Sequence, residues 1–220
     1  MKLPLADRTA AGRSLAAVLS DYYRDEDVVV LALPRGGVPV AREVAAALDA
    51  TLDLILIRKL GVPMQPELAM GAIASGGVRV LNPDVVQSWR ITGEDIAAVA
   101  AIEQRELERR EAAYRGERPR PPVRGRTVIL VDDGVATGAT MRAAISALRQ
   151  LGPAKIVVAV PVAPADTVQA LEEVADEVVC LATPEPFFAI GSCYRDFTQV
   201  SDEEVRRLLE AVPRREAERG

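Results

Sequence analysis

The sequence predicts an α/β protein with a doubly wound parallel sheet, and three observations predict it. Short aliphatic and β-branched runs recur at residues 28–33, 52–57, 128–131, 155–160 and 177–181. Each is too short for a helix and lacks the polar alternation of a half-exposed strand, so each reads as a strand covered on both faces. Between them, residues 39–48, 141–150 and 166–174 carry apolar side chains at helical spacing. The joints are short and rich in Gly, Pro and Asp. Strands and helices alternating through short turns specify parallel strands joined by right-handed crossovers.

Composition narrows the chemistry. The chain has 220 residues, 49% hydrophobic and 27% charged, with a net charge of −5. That suits one soluble domain over residues 1–220, with no membrane span, and the absence of a basic stripe argues against nucleic acid as a partner. Cys180 and Cys193 lack metal-like spacing, and with no signal peptide in view a reducing cytoplasm is expected. Histidine is absent. Ser-His-Asp hydrolysis, Cys-His catalysis and His-ligated metals are thereby excluded, which leaves carboxylates, cations and backbone donors to do any chemistry.

Taken in order, Asp7 is placed to cap a helix to about Tyr23, with Leu15, Val18, Leu19 and Tyr22 along one face. This reads first as a packing helix, although its first residues, 5–8, are alternatively placed to lean over a site. The strand at 28–33 ends in Pro34, Arg35, Gly36 and Gly37, followed by the helix at 39–48. Strand, Gly-rich turn and helix make either an ordinary joint or an anion site supplied with an Arg. The strand at 52–57 delivers Arg58 and Lys59 to the same sheet edge, where such a pair is either solvated or set against negative charge. Gly61, Pro63 and Pro66 then suggest a loop. Residues 69–74 and 78–81, joined by Ser75-Gly76-Gly77, read as a hairpin. Thr92, with Glu94 and Asp95 behind it, starts a long helix to about Tyr114. Its charged second half reads as a solvated face, or alternatively as a dimer or lid surface. The Pro/Arg-rich segment 116–125 is a linker back to the core. Residues 61–125 thus form an insertion of flap, hairpin, long helix and linker.

The centre of the chain is TVILVDDGVATGATM, residues 127–141. Asp132 and Asp133 fall at the carboxyl end of a buried strand, where open α/β sheets bind ligands. Gly134 and Gly138 loosen the turn, and Thr137 and Thr140 add hydroxyls and a candidate helix cap. Successive amides, hydroxyls and a helix N-terminus aimed at one spot suit a phosphate, while paired carboxylates suit vicinal hydroxyls or a hydrated divalent cation. A sugar phosphate satisfies both.

This stretch resembles the signature of the type I phosphoribosyltransferases, a Rossmann-like family that uses 5-phosphoribosyl 1-diphosphate (PRPP). The resemblance implies that Asp132 and Asp133 hold the ribose hydroxyls, and that Ala136, Thr137, Gly138, Ala139 and Thr140 wrap the 5-phosphate. By position, Arg35, Gly36 and Gly37 resemble the family's diphosphate loop, with a non-proline cis peptide implied at or next to Arg35. RKLGVP, from Arg58, resembles the opening of the mobile catalytic loop of adenine-type enzymes, and it implies that Arg58 and Lys59 meet the leaving group. Mg²⁺ is the implied cofactor, held largely through water by Asp132 and Asp133. Phe188, Ala189, Ile190 and Gly191, followed by Asp196, resemble the hood of the 6-oxopurine enzymes, with Phe188 and Ile190 at the base. A small C-terminal hood is accordingly expected at 183–200, although its aromatics also read as a hydrophobic clasp. Ala136 stands where the 6-oxopurine enzymes carry an acid, so the acceptor stays open within a nitrogenous class in which a nucleobase is expected. A homodimer is the family habit. The alternative function is a non-catalytic regulatory protein that senses PRPP or a nucleotide. A phospho-receiver domain, suggested by ILVDD, fails because Lys155 and Asp176 are poorly placed for its remaining residues. Asp202 is placed to cap a final helix, with a frayed tail from Pro213.

Overall fold

A computed structural model describes residues 3–23 and 26–211. The first helix, α1 (Arg8–Tyr23), starts where Asp7 accepts the Ala10 amide at 2.7 Å. Its buried face is Ala11, Leu15, Leu19 and Tyr23, at a spacing of four residues; Val18 is turned to solvent, and the Tyr22 side chain lies outside the described residues.

Five strands form the core sheet: β1 (Val28–Ala32), β2 (Thr51–Leu54), β6 (Thr127–Val131), β7 (Lys155–Val162) and β8 (Glu177–Ala182). Their order is β2-β1-β6-β7-β8, all parallel, with Val28 beside Thr127 and Val131 beside Ala159. Because side chains alternate across a strand, each apolar run feeds two cores. Val28, Val30 and Ala32 join a cluster with Leu15 and Leu19 of α1, Val44 of α2 (Gly37–Leu48), and Val205 and Leu209 of α7 (Asp202–Glu210). Val29 and Leu31 join the opposite cluster with Met141, Ile145 and Leu148 of α5 (Ala139–Leu151) and Leu171 of α6 (Ala165–Glu172). The expected doubly wound sheet is therefore present.

The strand expected at 52–57 is two strands. The chain leaves the core sheet after Leu54, and a second sheet is built from β3 (Ile57–Val62), β4 (Gln65–Ala74) and β5 (Val78–Leu81), all antiparallel. Ser75 pins the exit by accepting the Leu56 amide at 2.8 Å and donating its own amide to the Leu56 carbonyl at 2.9 Å. The expected loop around Gly61 is instead the bulged end of a hairpin. A Cβ on Gly61 would lie 2.5 Å from the Pro66 carbonyl, so the residue that suggested a loop is what lets the two strands close up.

A short helix absent from the sequence expectation, α3 (Pro83–Ser88), follows β5; its signal was Asn82 accepting the Asp84 and Val85 amides ahead of Pro83. The long helix α4 (Gly93–Arg115) begins with the expected Thr92/Asp95 capping box. Its charged half is only partly a solvated face. Glu111 and Arg115 are buried, with Arg115 Nε 3.0 Å from Asp53 and Nη2 3.2 Å from the Leu54 carbonyl, while Arg120 of the linker pairs with Glu111. This network seats the insertion on the core. Arg115→Ala is expected to cost about 3–5 kcal/mol by removing the guanidinium from a buried carboxylate. Urea unfolding tests it, and a loss below about 1 kcal/mol, the range of a surface pair, would contradict it.

At the C-terminus the cap of α7 is Ser201, which accepts the Glu204 amide at 3.1 Å; Asp202, expected in that role, is the first helical residue. The tail from Pro213 lies outside the described residues.

Candidate active site

Strand order alone locates the crevice. From β1 the chain turns toward β2, and from β6 it turns the other way toward β7, so the carboxyl ends of β1 and β6 flank the point where winding reverses. The segment after β1 contains the cis peptide Pro34-Arg35, then Gly36 and Gly37. The segment after β6 contains Asp132 and Asp133. These two turns are in contact. A Cβ on Gly36 would fall 2.0 Å from Asp133 Oδ2, and one on Gly37 would fall 2.7 Å from the Val131 carbonyl and 2.9 Å from Asp132 Cα. Glycine is needed at both places because no side chain fits between the turns. Within this turn the Gly37 amide is committed to the Leu33 carbonyl at 3.1 Å and the Val38 amide to the Arg35 carbonyl at 3.2 Å.

Asp132 accepts the Asp133 amide at 2.8 Å and is half-buried. Desolvation in the crevice, and then the charge of Asp133, hold its carboxyl well above the usual carboxylate range. Asp133 is itself buried and is met by Arg8 Nε at 2.7 Å. Arg8 lies over the ring of Phe197, 3.9 Å from its centroid, and donates from Nη1 to the Thr198 carbonyl at 2.7 Å. The residues ahead of α1 therefore do lean over the site, joined to residues 193–196 through Leu5 N–H to Cys193 O at 2.8 Å, Arg195 N–H to Leu5 O at 2.8 Å and Asp196 N–H to Ala6 O at 3.0 Å. Tyr194 donates its hydroxyl to the Asp133 carbonyl. Burial and the neighbouring Asp133 charge raise the phenol far above its ordinary value, so it stays a donor. Neither Arg8 nor Tyr194 carried a local signal of these roles, since each partner is remote in sequence.

The turn after Asp133 is packed by the hood. A Cβ on Gly134 would meet Ile190 Cγ2 at 2.6 Å. Ala136, Thr137, Ala139 and Thr140 are open to solvent, and Gly138, with φ 73°, is the N-cap of α5. The expected threonine cap is not made; the αL glycine turns the chain into the helix, and the first helical amides face the loop without side-chain acceptors. Of the hood aromatics, Phe187, Tyr194 and Phe197 belong to a clasp with Leu5 and Cys193, while Phe188 is 82% exposed.

Three expected cations sit differently from their sequence placement. Arg35 points to Asp202 of α7 at 3.2 Å. Arg58 and Lys59 lie on β3 of the flap, not at a core strand end, and on opposite faces of that strand. Arg58 pairs with Glu103 of α4, and Lys59 Nζ is 3.2 Å from Glu67.

A Gly-rich turn is packed under paired aspartates, beside an open helix N-terminus, at the reversal point of the sheet. The phosphoribosyl transferase domain family matches residues 5–196. The chain belongs to that family. The protein named "Putative phosphoribosyl transferase Rv0571c" of Mycobacterium tuberculosis H37Rv is 53% identical over 217 residues, covering 97% of this chain and 48% of that protein. This phosphoribosyl transferase domain chain spans about half the length of the curated relatives it matches. The crystal structure of TT1426 from Thermus thermophilus superposes with a TM-score of 0.84 at 44% identity, covering 96% of this chain and 99% of that one. Among the described residues, no helix is long and apolar enough to cross a membrane.

Proposed function

We propose that the protein transfers the 5-phosphoribosyl group from PRPP to a nitrogenous acceptor, a nucleobase, with release of diphosphate. The observation that carries this is the contact between the Gly36-Gly37 turn and the Asp132-Asp133 pair, with the 136–140 loop directly beyond. One ligand with a phosphate at each end of a dihydroxylated sugar spans all three. The 5-phosphate takes the amides of 136–140, the ribose hydroxyls take Asp132 and, once Arg8 gives way, the buried Asp133, and the diphosphate takes the turn at Arg35 and Gly36.

Bond breaking at C1 leaves positive charge on the sugar and extra negative charge on diphosphate. The aspartate pair offsets the first, and cations must meet the second. Arg58 and Lys59 are held by Glu103 and Glu67 on opposite faces of β3, so their part requires an exchange of partners, and the one whose face turns inward as the flap closes meets the diphosphate. Arg35 likewise exchanges Asp202 for the leaving group. Phe188, exposed on the hood, offers a face for a planar acceptor, and Ile190 packs against Gly134 beside the aspartates.

The donor set also fits Mg²⁺, the proposed cofactor. That cation takes one or two carboxylates, several waters and substrate phosphate oxygens in place of an all-protein cage, and the half-buried Asp132 would supply such a carboxylate. Mg²⁺ bound there with substrate would neutralise developing charge on diphosphate. Its arrival would also lower the cost of ionising Asp132 beside Asp133. The same reading places the protein in the cytoplasm as a homodimer; sedimentation tests the second point.

Calorimetry of PRPP binding with and without Mg²⁺, followed by diphosphate release against purines, pyrimidines and other nitrogenous acceptors, tests the proposal. Mg²⁺-dependent binding with turnover on one acceptor is expected. Binding without turnover on any acceptor would instead establish a regulatory PRPP-binding protein, and no binding would overturn the assignment.

A further inference from the structure

Backbone amides make an anion cradle only if the matching carbonyls point away from it. In a trans peptide unit the C=O of one residue and the N–H of the next are antiparallel, so holding one fixes the other. Two carbonyls of the 136–140 loop are held. Thr167, in the first turn of α6, donates its hydroxyl to the Ala136 carbonyl at 2.7 Å. Arg142, in α5, donates from Nη1 to the Thr137 carbonyl at 3.0 Å. These are the carbonyls of the peptide units that carry the Thr137 and Gly138 amides. Both braces lie on one side of Gly138: a Cβ there would be 2.8 Å from Arg142 Nη1 and 3.2 Å from Thr167 Cγ2. The absence of a side chain at residue 138 thus serves two ends, since it permits φ 73° and lets both braces reach the loop.

We infer that Thr167 and Arg142 are positioning residues of the phosphate loop, aiming the Thr137 and Gly138 amides together at the bound anion. The inference rests on reading 136–140 as the 5-phosphate site. Neither residue belongs to the Asp-Asp…Thr-Gly signature, and Thr167 lies 31 residues from its partner, so the sequence pattern does not mark it. The guanidinium adds a positive charge next to the loop, which favours an anion through space as well as through the amide it sets. Thr167 contributes no charge and acts through direction alone.

The test compares binding of ribose 5-phosphate, PRPP and pyrophosphate to the full chain and to Thr167→Val, Thr167→Ser and Arg142→Met. Ribose 5-phosphate and PRPP both carry the 5-phosphate, whereas pyrophosphate belongs at the other turn. Thr167→Val is expected to weaken ribose 5-phosphate and PRPP by a common factor of about tenfold, the scale of one net hydrogen bond. Pyrophosphate affinity stays unchanged, and Thr167→Ser, which keeps the hydroxyl, restores wild-type binding. Arg142→Met, which keeps the stem, weakens the same two ligands and makes their binding less salt-dependent. Parallel loss of all three ligands would mean a general structural role and overturn the inference, as would unchanged affinities in Thr167→Val. If the wild type binds neither ribose 5-phosphate nor PRPP, the reading of the loop itself fails; if it binds them and the variants match it, only the bracing fails.

Discussion

Asp132→Asn is expected to lower turnover by about two to three orders of magnitude, the scale of one lost charge-stabilising group, while leaving the protein folded. The carboxylate accepts the Asp133 amide through Oδ1 at 2.8 Å, and an asparagine carbonyl accepts it equally well. What disappears is negative charge beside the ribose, where the departing diphosphate leaves a positive sugar. The stability of this variant has a definite sign. The folded-state pKa of Asp132 is raised by desolvation and by Asp133, so the folded protein binds its proton more tightly than the unfolded chain does. Wild-type stability therefore falls as pH rises from the ordinary value of 3.8 toward the raised one, and stays reduced above it. Asparagine never ionises. The variant should match the wild type in acid and equal or exceed it at neutral pH, by urea unfolding at each pH. Turnover above about a tenth of wild type would remove Asp132 from the mechanism. Asp133→Asn is a less clean probe, because it also takes the partner from Arg8, which lies half-buried over Phe197.

The second large effect belongs to Gly36. In Gly36→Ala the new methyl would sit 2.0 Å from Asp133 Oδ2 and 2.6 Å from its Cγ. Asp133 has little freedom to retreat, since Arg8 holds its side chain at 2.7 Å and Tyr194 holds its carbonyl. The strain must go into separating the two turns. That displaces the diphosphate amides from the ribose carboxylates, and a shift of about 1 Å at a reacting centre costs on the order of 10²-fold in kcat/KM. A stability loss of about 1–3 kcal/mol should accompany it, as for other overpacked sites. Gly93→Ala is the control. It opens α4 with nothing within 4 Å of the added methyl, so it should leave activity alone and stabilise slightly or not at all. Steady-state kinetics on both variants decides the point; similar kcat/KM values for the two would show that the contact of the turns does not govern the chemistry.

Local patterns carried much of this protein. Five apolar runs between helical periods specified the parallel sheet, because strands covered on both faces cannot alternate with polar residues. The Thr92/Asp95 box and the Asp7 cap were legible because helix ends are satisfied by residues within three or four positions. The aspartate pair and the Gly/Thr loop were legible for the same reason: one continuous stretch builds them. Errors arose where tertiary contact competed with local preference. Gly61 and Pro63 suggest a loop, yet the close approach of Pro66 makes Gly61 part of a hairpin. The charged end of α4 suggests a wet surface, yet Asp53 draws Arg115 into the interior.

The sequence by itself determined the sheet, its winding and the identity of the central motif, since each follows from periodicity or from neighbouring residues. Only the tertiary structure decided what surrounds that motif. Arg8 reaches Asp133 across 125 positions and Thr167 reaches Ala136 across 31, while Arg58 and Lys59 are taken up by Glu103 and Glu67. The physical reason is that a side chain's charge and shape are local properties, whereas its partner is chosen by where the folded backbone brings two distant segments together.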